Sequence, residues 1–392
     1  MNDTDVIVAG GGIGGLACAL ALALAGQRVR VLERSAEFAE VGAGLQMAPN
    51  ATRILRHWGL LGRVTDAGVL PRRLVFRDAL DGSVLTSAPL DERFTARYQA
   101  PYVVIHRNDL LTIFFEACRY AGVELVASCT VTDVTIHPDC VTVATSSGDQ
   151  QAAAAIAADG LRSTLRRRFS DDEPSCSGFV AYRGAFPVAE LDLKLESSQL
   201  EEVVAYIGPG RHLVQYPLRR GEIFNTVAVF GSPGFVSGKP DWGSPEELEE
   251  AFRGSCDEVT RGLKSLWRDR RWPMFDRAPI ERWADQRLAL TGDAAHPMLQ
   301  YLAQGACQAI EDAHCLGTEV EKARGCWPDA LENYNKARSG PTARVQRTAR
   351  LWGDIWHVDG VARLLRNELF RAREPADYSR ADWLYGAVRG GL

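Results

Sequence analysis

The sequence lacks the cysteine patterns that build disulfide frameworks or zinc sites. Its nine cysteines are scattered and odd in number, with no Cys-x-x-Cys pair, and the seven histidines show no metal-ligand spacing. Regularly paired cysteines are typical of small secreted proteins, whereas isolated thiols are typical of a reducing compartment. We therefore expect free thiols, no structural metal and a cytoplasmic location.

Long hydrophobic runs and a one-sided charge balance are also missing. The longest apolar run, Leu16 to Ala25, is far shorter than the roughly 18 residues of a membrane span. The first residues are acidic and lead straight into a predicted strand, which argues against a signal peptide. Lys and Arg number 45 against 50 Asp and Glu, so nothing indicates a nucleic-acid surface. A chain of 392 residues favours two or three domains.

The sequence does contain, near its start, a dinucleotide-binding fingerprint in its required context. Asp5 to Ala9 is typical of a buried parallel strand, and Gly10, Gly12 and Gly15 follow at G-x-G-x-x-G spacing before an Ala- and Leu-rich helix. The glycines permit a tight turn, close approach to a pyrophosphate and close helix–strand packing. A second strand ends at Glu33, which can accept hydrogen bonds from a ribose and disfavours a 2′-phosphate there.

A second cofactor element is predicted between Leu288 and Ala313. A short apolar strand breaks at Gly292-Asp293, and small residues from Gly305 onward favour a helix. Such a strand, acid and helix N-terminus would direct backbone N–H groups and the helix dipole at a ligand. Since strand–Gly–Asp turns are frequent, this stretch alone leaves a purely structural turn open.

The middle of the chain changes character. From Gly178 to about Phe230 four runs of six to eight residues alternate with turn residues, which predicts a separate antiparallel sheet. Beyond Glu319 the pattern is mainly helical to Asn367.

Three motifs thus occur in fixed order: the glycine fingerprint, Asp159-Gly160-x-x-Ser163-x-x-Arg166, and Gly292-Asp293. With them the chain resembles, over nearly its whole length, the single-component flavoprotein aromatic hydroxylases of the para-hydroxybenzoate hydroxylase fold. Within that family it is most similar to members that hydroxylate 3-hydroxybenzoate at carbon 6. Salicylate hydroxylases share the three motifs but usually carry a proline where this chain has Gln300. The runs that carry the likeness are EVGAGLQ, VFRDA, DGLRSTLR, AYIGPGRHLVQYPLR, RWPMFDR, GDAAHPMLQYLAQGA and LWGDIWHVDG.

The resemblance implies an α/β fold in which a Rossmann-type FAD-binding domain is interleaved with an antiparallel-sheet substrate domain. We expect the FAD-binding domain to comprise residues 1–73, 100–177 and 272–345, and the substrate domain to comprise 74–99 and 178–271. A helical C-terminal segment, 346–392, would follow. That segment is a candidate interface, because the family implies a homodimer.

The resemblance also implies the cofactor residues. Glu33 and the fingerprint glycines would hold the ADP half of FAD, Arg107 and Asp293 the pyrophosphate–ribityl region, and the helix N-terminus the isoalloxazine. Arg162 and Arg166 match a motif linked to FAD and nicotinamide binding, and a solvated basic face remains open for both. His296 is expected to cap its loop and pack beneath the flavin. The full set of expected FAD-binding residues is Gly10, Gly12, Gly15, Glu33, Arg34, Arg107, Asp159, Asp293, Gly305 and Ala306.

The implied chemistry is oxygen transfer from a reduced flavin, through a C4a-hydroperoxide, to an electron-rich ring carbon. Deprotonating a phenol raises electron density ortho and para to it, so a base or acceptor is needed at the phenol oxygen. His212 and Tyr216 lie four apart on a predicted strand and so share a face. His212 is the candidate base, directly or through Tyr216. Gln300 would bond the phenol oxygen or the ring carboxylate, and Asp78 would orient the substrate pocket.

The leading hypothesis is hydroxylation of 3-hydroxybenzoate para to its hydroxyl, with NADH and O2, giving 2,5-dihydroxybenzoate (gentisate). The alternatives are a decarboxylating salicylate hydroxylase that forms catechol, and a hydroxylase of another phenolic acid. A dehydrogenase without flavin and a non-catalytic dinucleotide-fold binding protein also remain open. The preference for NADH over NADPH rests on the resemblance, since Glu33 bears on the ribose of FAD only.

Overall fold

The computed structural model describes residues 4–39, 43–191 and 197–386. The first residues of the EVGAGLQ run, at 40–42, lie outside the described residues, as do the ends of the expected domains at 1–3 and 387–392. No helix of the described ranges is long and apolar enough to cross a membrane.

The strands of the described chain are mostly short. They are β1 (Val6–Ala9), β2 (Val29–Leu32), β3 (Gly44–Met47), β4 (Arg73–Asp78), β5 (Val84–Pro89), β6 (Val103–His106), β7 (Glu124–Val126), β8 (Val131–Ile136), β9 (Val141–Thr145), β10 (Gln150–Ala152), β11 (Ala154–Ala157), β12 (Ser175–Pro187), β13 (Glu202–Gly208), β14 (Arg211–Leu218), β15 (Ile223–Gly231), β16 (Trp272–Asp276), β17 (Ala284–Asp285) and β18 (Leu288–Leu290).

The helices are concentrated at the two ends of the chain. They are α1 (Ile13–Leu24), α2 (Pro49–His57), α3 (Leu61–Ala67), α4 (Glu92–Tyr98), α5 (Arg107–Tyr120), α6 (Pro233–Val236), α7 (Pro245–Ala251), α8 (Asp257–Gly262), α9 (Gly305–Ala323), α10 (Trp327–Trp356), α11 (Gly360–Arg371) and α12 (Asp382–Tyr385). Short 3₁₀ turns at Leu165–Arg168, Gly292–Ala294 and Gln300–Leu302 matter for the site.

One sheet has the predicted Rossmann-type arrangement. Its strand order is β17-β18-β11-β1-β2-β7, parallel except where β17 pairs with β18. The central strand β1 is fully buried, and α1 packs against both α5 and α9. Strands covered on both faces are continuously apolar, which explains the VIVA sequence. Helix α1 begins at Ile13, directly after its N-cap Gly12, so Gly15 of the fingerprint lies in its first turn.

The second sheet confirms the strand-rich middle of the chain. Its order is β16-β12-β15-β14-β13-β4-β5, and every pairing is antiparallel except that of β13 with β4. The parallel pair arises because β4 and β5 form an earlier excursion of the chain that joins the edge of the later sheet. The short helices α6, α7 and α8 lie between β15 and β16. The domain boundaries given above stay a prediction.

The C-terminal helices connect the two sheets. Helices α9 and α10 pack against each other, and α11 packs against β5. Arg363 of α11 pairs with Asp78 of β4 through both carboxylate oxygens, at 2.9 and 2.7 Å. The space enclosed between the Rossmann sheet, the second sheet and these helices is the candidate site.

Candidate active site

A single large cavity of about 1020 Å³ extends from the glycine turn to the second sheet. One end of the cavity lies at the carboxyl ends of β1, β11 and β18. The loops that follow these strands line it through Gly12, Gly160 and Gly292. Ligands of open α/β sheets bind outside the carboxyl ends of the strands. A volume at the upper end of the range for small-molecule sites leaves room for a large cofactor and a second, smaller molecule.

The glycine turn is shaped by contacts that admit no side chain. A Cβ on Gly15 would lie 2.0 Å from the carbonyl oxygen of Gly10, and one on Gly10 would lie 2.3 Å from that of Ala158. Gly10 also has φ of +112°, a conformation that favours glycine. Glu33 faces the same turn, and its Oε2 accepts a 2.6 Å hydrogen bond from the amide of Gly11. The turn therefore keeps the tight backbone without side chains that close approach to a phosphate requires.

Two helix N-termini converge on the cavity. Gly12 and Gly14 at the start of α1 line it, and so do Gly305 and Ala306 at the start of α9. Neither N-terminus has a side-chain cap, so backbone N–H groups and the positive ends of both dipoles are directed at the ligand space. The sequence predicted this role for Gly305 and Ala306.

Arg107 and Asp293 line the same end of the cavity, and their contacts with FAD stay a prediction. Burial lowers the pKa of Arg107, and the nearby Asp293 carboxylate opposes that shift. Asp159 lies behind the turn between the cavity-lining Ala158 and Gly160. Its Oδ2 accepts from the amide of Thr164 at 3.1 Å, whereas its buried Oδ1 has no partner among the described residues. Burial raises the pKa of Asp159.

The three other arginines expected near the cofactor, Arg34, Arg162 and Arg166, do not line the cavity. Arg34 is exposed beyond the turn, and Arg162 is exposed with its guanidinium 5.7 Å from the ring centroid of Phe275. Arg166 is buried, and it donates to the carbonyl oxygens of Ala294 and Ala295 at 3.1 and 2.5 Å. Arg166 is therefore neither exposed to solvent nor directed at a ligand. Its hydrogen bonds fix the loop that follows Gly292-Asp293.

A buried network of hydrogen bonds and ion pairs, centred on Asp312, fixes the loop that contains Gly292 and His296. His296 bonds through Nε2 to Asp312 of α9, whose second oxygen accepts from Nε of Arg338 at 2.8 Å. The amide of Gly292 donates to Asp312 at 3.2 Å. Burial by itself would raise the pKa of Asp312, but its contacts with His296 and Arg338 lower that pKa to about 2. His296 thus connects the loop to α9, and its place beneath the flavin stays a prediction.

The far end of the cavity is lined by the second sheet. His212, Val214 and Tyr216 alternate along β14 and all line the wall, so the histidine and the tyrosine share a face as predicted. Burial lowers the pKa of His212 well below its usual range and raises that of Tyr216. Both side chains are therefore neutral near pH 7. The tyrosine ring packs on Gly44, where a Cβ would lie 2.6 Å from the hydroxyl oxygen.

Gln300 lines the cavity beside a residue that the sequence did not single out. Arg183 of β12 lines the same wall, and its Nη2 donates to Oε1 of Gln300 at 3.3 Å. Its Nε is buried without a partner, and no carboxylate of the described residues pairs with it. Burial lowers its pKa. The available signal was a lone charge inside the apolar strand FVAYRGAF.

Asp78 occupies a different place from the one expected of a substrate-binding residue. It is fully buried outside the cavity lining, where Arg363 pairs with both its oxygens and Asn367 donates to Oδ2 at 2.6 Å. Because residues of α11 donate to both of its carboxylate oxygens, Asp78 has no oxygen directed at a ligand. Its effect on the pocket is to fix α11, whose Leu365 and Leu369 form part of the wall.

FAD fits the first half of this cavity. An adenine dinucleotide uses a glycine turn of this kind, in which Gly10 and Gly15 leave no room for a Cβ, followed by an acid at the end of the second strand, here Glu33. The two uncapped helix N-termini and the unpartnered oxygen of Asp159 add hydrogen-bonding groups to the same end of the cavity. The fold and the site together define a dinucleotide-fold flavoprotein with a second, aromatic-lined pocket for a small molecule.

Comparison with known proteins identifies the family. Residues 3–349 match the family described as FAD binding domain. The chain is 39% identical to 3-hydroxybenzoate 6-hydroxylase of Polaromonas naphthalenivorans (strain CJ2), over 98% of this chain and 96% of that protein. It is 35% identical to 3-amino-4-hydroxybenzoate 2-monooxygenase of Streptomyces cremeus, over 99% and 96%. The crystal structure of a single-residue variant of Klebsiella pneumoniae HpxO complexed with FAD is similar with a TM-score of 0.83 at 25% identity, over 96% of each chain.

The chain therefore belongs to the FAD binding domain family and is a flavin-dependent aromatic monooxygenase with FAD as its cofactor. The predicted resemblance to flavoprotein aromatic hydroxylases is confirmed. A flavin-free dehydrogenase and a non-catalytic binding protein are not favoured.

Proposed function

We propose that this protein hydroxylates 3-hydroxybenzoate para to its hydroxyl group, giving 2,5-dihydroxybenzoate, with NADH and O2. The observation that carries the proposal is that an unpaired cation, an amide and an imidazole line the pocket next to the flavin end of the cavity: Arg183, Gln300 and His212. They match a ring bearing one carboxylate and one hydroxyl. The relative at 39% identity is named for the same reaction, which also makes salicylate hydroxylation the less favoured reading.

Bound FAD, once reduced by the nicotinamide, supplies the chemistry that activates dioxygen and delivers one oxygen atom to an electron-rich carbon. The protein selects that carbon. Arg183 binds the ring carboxylate, and Gln300 bonds the carboxylate or hydroxyl and so fixes the rotation of the ring. His212 accepts the hydroxyl proton, which raises electron density at the para carbon. Tyr216 stays protonated and donates a hydrogen bond.

The aromatic wall excludes water from this reaction. Tyr301, Trp352, Trp356 and Phe370 line the pocket and pack on one another edge to face or stacked. Water in such a pocket would solvate the phenolate and compete for the activated oxygen.

Three finer features belong to the same proposal. The preference for NADH over NADPH is supported by the likeness to the family alone. A homodimer through the C-terminal segment is supported by the likeness to the family and by two exposed apolar residues of α11 outside the cavity lining, Val361 and Leu364. A cytoplasmic location is supported by the cysteines, which are free thiols.

A single assay tests the proposal. Oxygen uptake is measured with each mono-hydroxybenzoate and with NADH or NADPH, and the products are identified. We expect 2,5-dihydroxybenzoate from 3-hydroxybenzoate with NADH. Catechol from salicylate as the main reaction, or no NADH oxidation with any of these acids, would overturn it.

A further inference from the structure

The cavity histidine is bonded to a second histidine that reaches outward. Nδ1 of His212 lies 2.9 Å from Nε2 of His357, and the two rings stack at 5.1 Å with an interplanar angle of 21°. His357 stacks in turn on Phe179, at 4.6 Å and 16°. His212 is buried at the cavity wall, whereas His357 caps the C-terminus of α10 and is partly exposed.

We propose that His357 is a proton-relay residue, which carries the hydroxyl proton of the substrate from His212 to solvent. The relay rests on the proposed function. In each passage the phenol O–H bond breaks and a proton binds Nε2 of His212. The proton on Nδ1 of His212 moves to Nε2 of His357, and the proton on Nδ1 of His357 moves to water. Return of a proton to the product's oxygen by the reverse route restores both tautomers.

The relay resolves a difficulty that His212 would face alone. A buried imidazole far from water is a weak base, because its charged form is poorly solvated. The pKa of His212 is well below its usual range, and that of His357 is lowered to about 3. Neither ring therefore holds an extra proton near pH 7. Each imidazole receives a proton at one ring nitrogen and gives up the proton of its other nitrogen. Both rings therefore stay neutral, and no buried imidazolium has to be stabilised.

The surroundings of His357 fix its orientation and discourage it from storing charge. Its carbonyl accepts from the amide of Gly210, and its own amide donates to the carbonyls that end α10. Among the titratable groups that face it, Arg366 of α11 lowers its pKa, His212 faces it from β14, and Tyr301 packs edge-on at 5.5 Å. A cation beside an uncharged relay favours onward transfer over retention of a proton.

Two variants separate the relay from a packing role. In His357→Gln the amide can still hydrogen-bond Nδ1 of His212 but cannot pass a proton on. In His357→Ala the missing ring leaves room for added imidazole. His314→Gln is the matched control, since His314 is also half-buried beside another histidine, His57, but lies outside the cavity lining.

The measurement is a stopped-flow pH jump on the complex of oxidised enzyme and 3-hydroxybenzoate, followed by the absorbance of the ionising phenol. We expect the relaxation to slow at least about tenfold in both His357 variants and to be unchanged in the control. Added imidazole should accelerate His357→Ala in proportion to its concentration.

The outcomes distinguish the relay from the proposed function. Wild-type protein that binds no 3-hydroxybenzoate would overturn the proposed function and the relay with it. If the wild type binds the acid and His357→Gln relaxes within twofold of it, the relay alone is overturned. A slowed His357→Ala that imidazole does not accelerate would likewise overturn the relay.

Discussion

Nη2 of Arg183 lies 3.3 Å from Oε1 of Gln300, so a cation from the second sheet meets an amide from the loop before α9 at one point of the cavity. The amide oxygen is a weak partner for a guanidinium. Planar, bidentate recognition of a carboxylate is the arrangement in which arginine binds most strongly. The unpartnered Nε of this guanidinium is therefore the donor that we propose for the substrate carboxylate.

Replacing Arg183 should weaken substrate binding without affecting the flavin. For Arg183→Met we expect the Kd for 3-hydroxybenzoate to rise about 10- to 100-fold, because a hydrogen-bonded charge pair is lost while most of the packing volume is kept. The perturbation of the flavin spectrum on titration with the acid measures this Kd. Arg119→Met, at an exposed position of α5, is the control. An unchanged Kd would exclude Arg183 as the carboxylate partner.

Gln300 should control the efficiency of oxygen transfer. Gln300→Pro is compatible with the backbone, because Leu299 has φ −67° and ψ 149°, the conformation that precedes proline, and position 300 begins a 3₁₀ turn. Without the Gln300 amide the aromatic ring of the substrate rotates more freely in the pocket. We therefore expect about tenfold less 2,5-dihydroxybenzoate per NADH oxidised. Product and hydrogen peroxide are quantified together. Gln300→Asn, which retains an amide, should recover part of the yield; equal yields in wild type and Gln300→Pro would refute the role.

The fingerprint glycine Gly15 should be required for FAD. In Gly15→Ala the new methyl carbon would lie 2.0 Å from the carbonyl oxygen of Gly10, so α1 must move away from the turn. We expect the protein to purify with little flavin, as measured by its visible absorbance per protein. Gly62→Ala in α3 adds a methyl group with nothing within 4 Å and should keep a full flavin content. A fully yellow Gly15→Ala protein would contradict the assignment.

Local sequence patterns predicted the cofactor half of the site better than the substrate half. The glycine turn, Glu33 and the start of α9 are defined by residues a few positions apart, so spacing and hydrophobic pattern were sufficient. The His212–His357 and Arg183–Gln300 pairs join residues 145 and 117 positions apart, and no local period encodes such contacts.

Burial also changed the meaning of charged residues that the sequence suggested as ligands. Arg166 belongs to a motif linked to cofactors, yet the fold encloses it and directs its donors to backbone carbonyls. Asp78 is paired with Arg363, which lies 285 positions later. Whether a charge faces a ligand or another part of the chain depends on tertiary packing, which these motifs do not specify.

The buried Asp312 should stabilise the fold as well as the loop beneath the flavin. In Asp312→Ala the two partners of the carboxylate, His296 and Arg338, lose the group that they share. Because Glu311 still pairs with Arg338 at 2.6 Å, we expect the lower end of the usual cost of breaking a buried pair, about 3 kcal/mol in the free energy of unfolding by urea. Glu332→Ala, which breaks only an exposed pair with Lys336, should change it by less than about 1 kcal/mol.

The same carboxylate predicts the direction of a pH effect. The pKa of Asp312 is about 2 in the folded protein, below its ordinary value of 3.8. Folding therefore favours the ionised form, and the stabilisation is complete above roughly pH 4 and lost as the pH falls toward 2. The difference in unfolding free energy between wild type and Asp312→Ala should shrink over that interval and stay constant from pH 5 to 8. A difference that instead grows as the pH falls would show that Asp312 is not held ionised by His296 and Arg338.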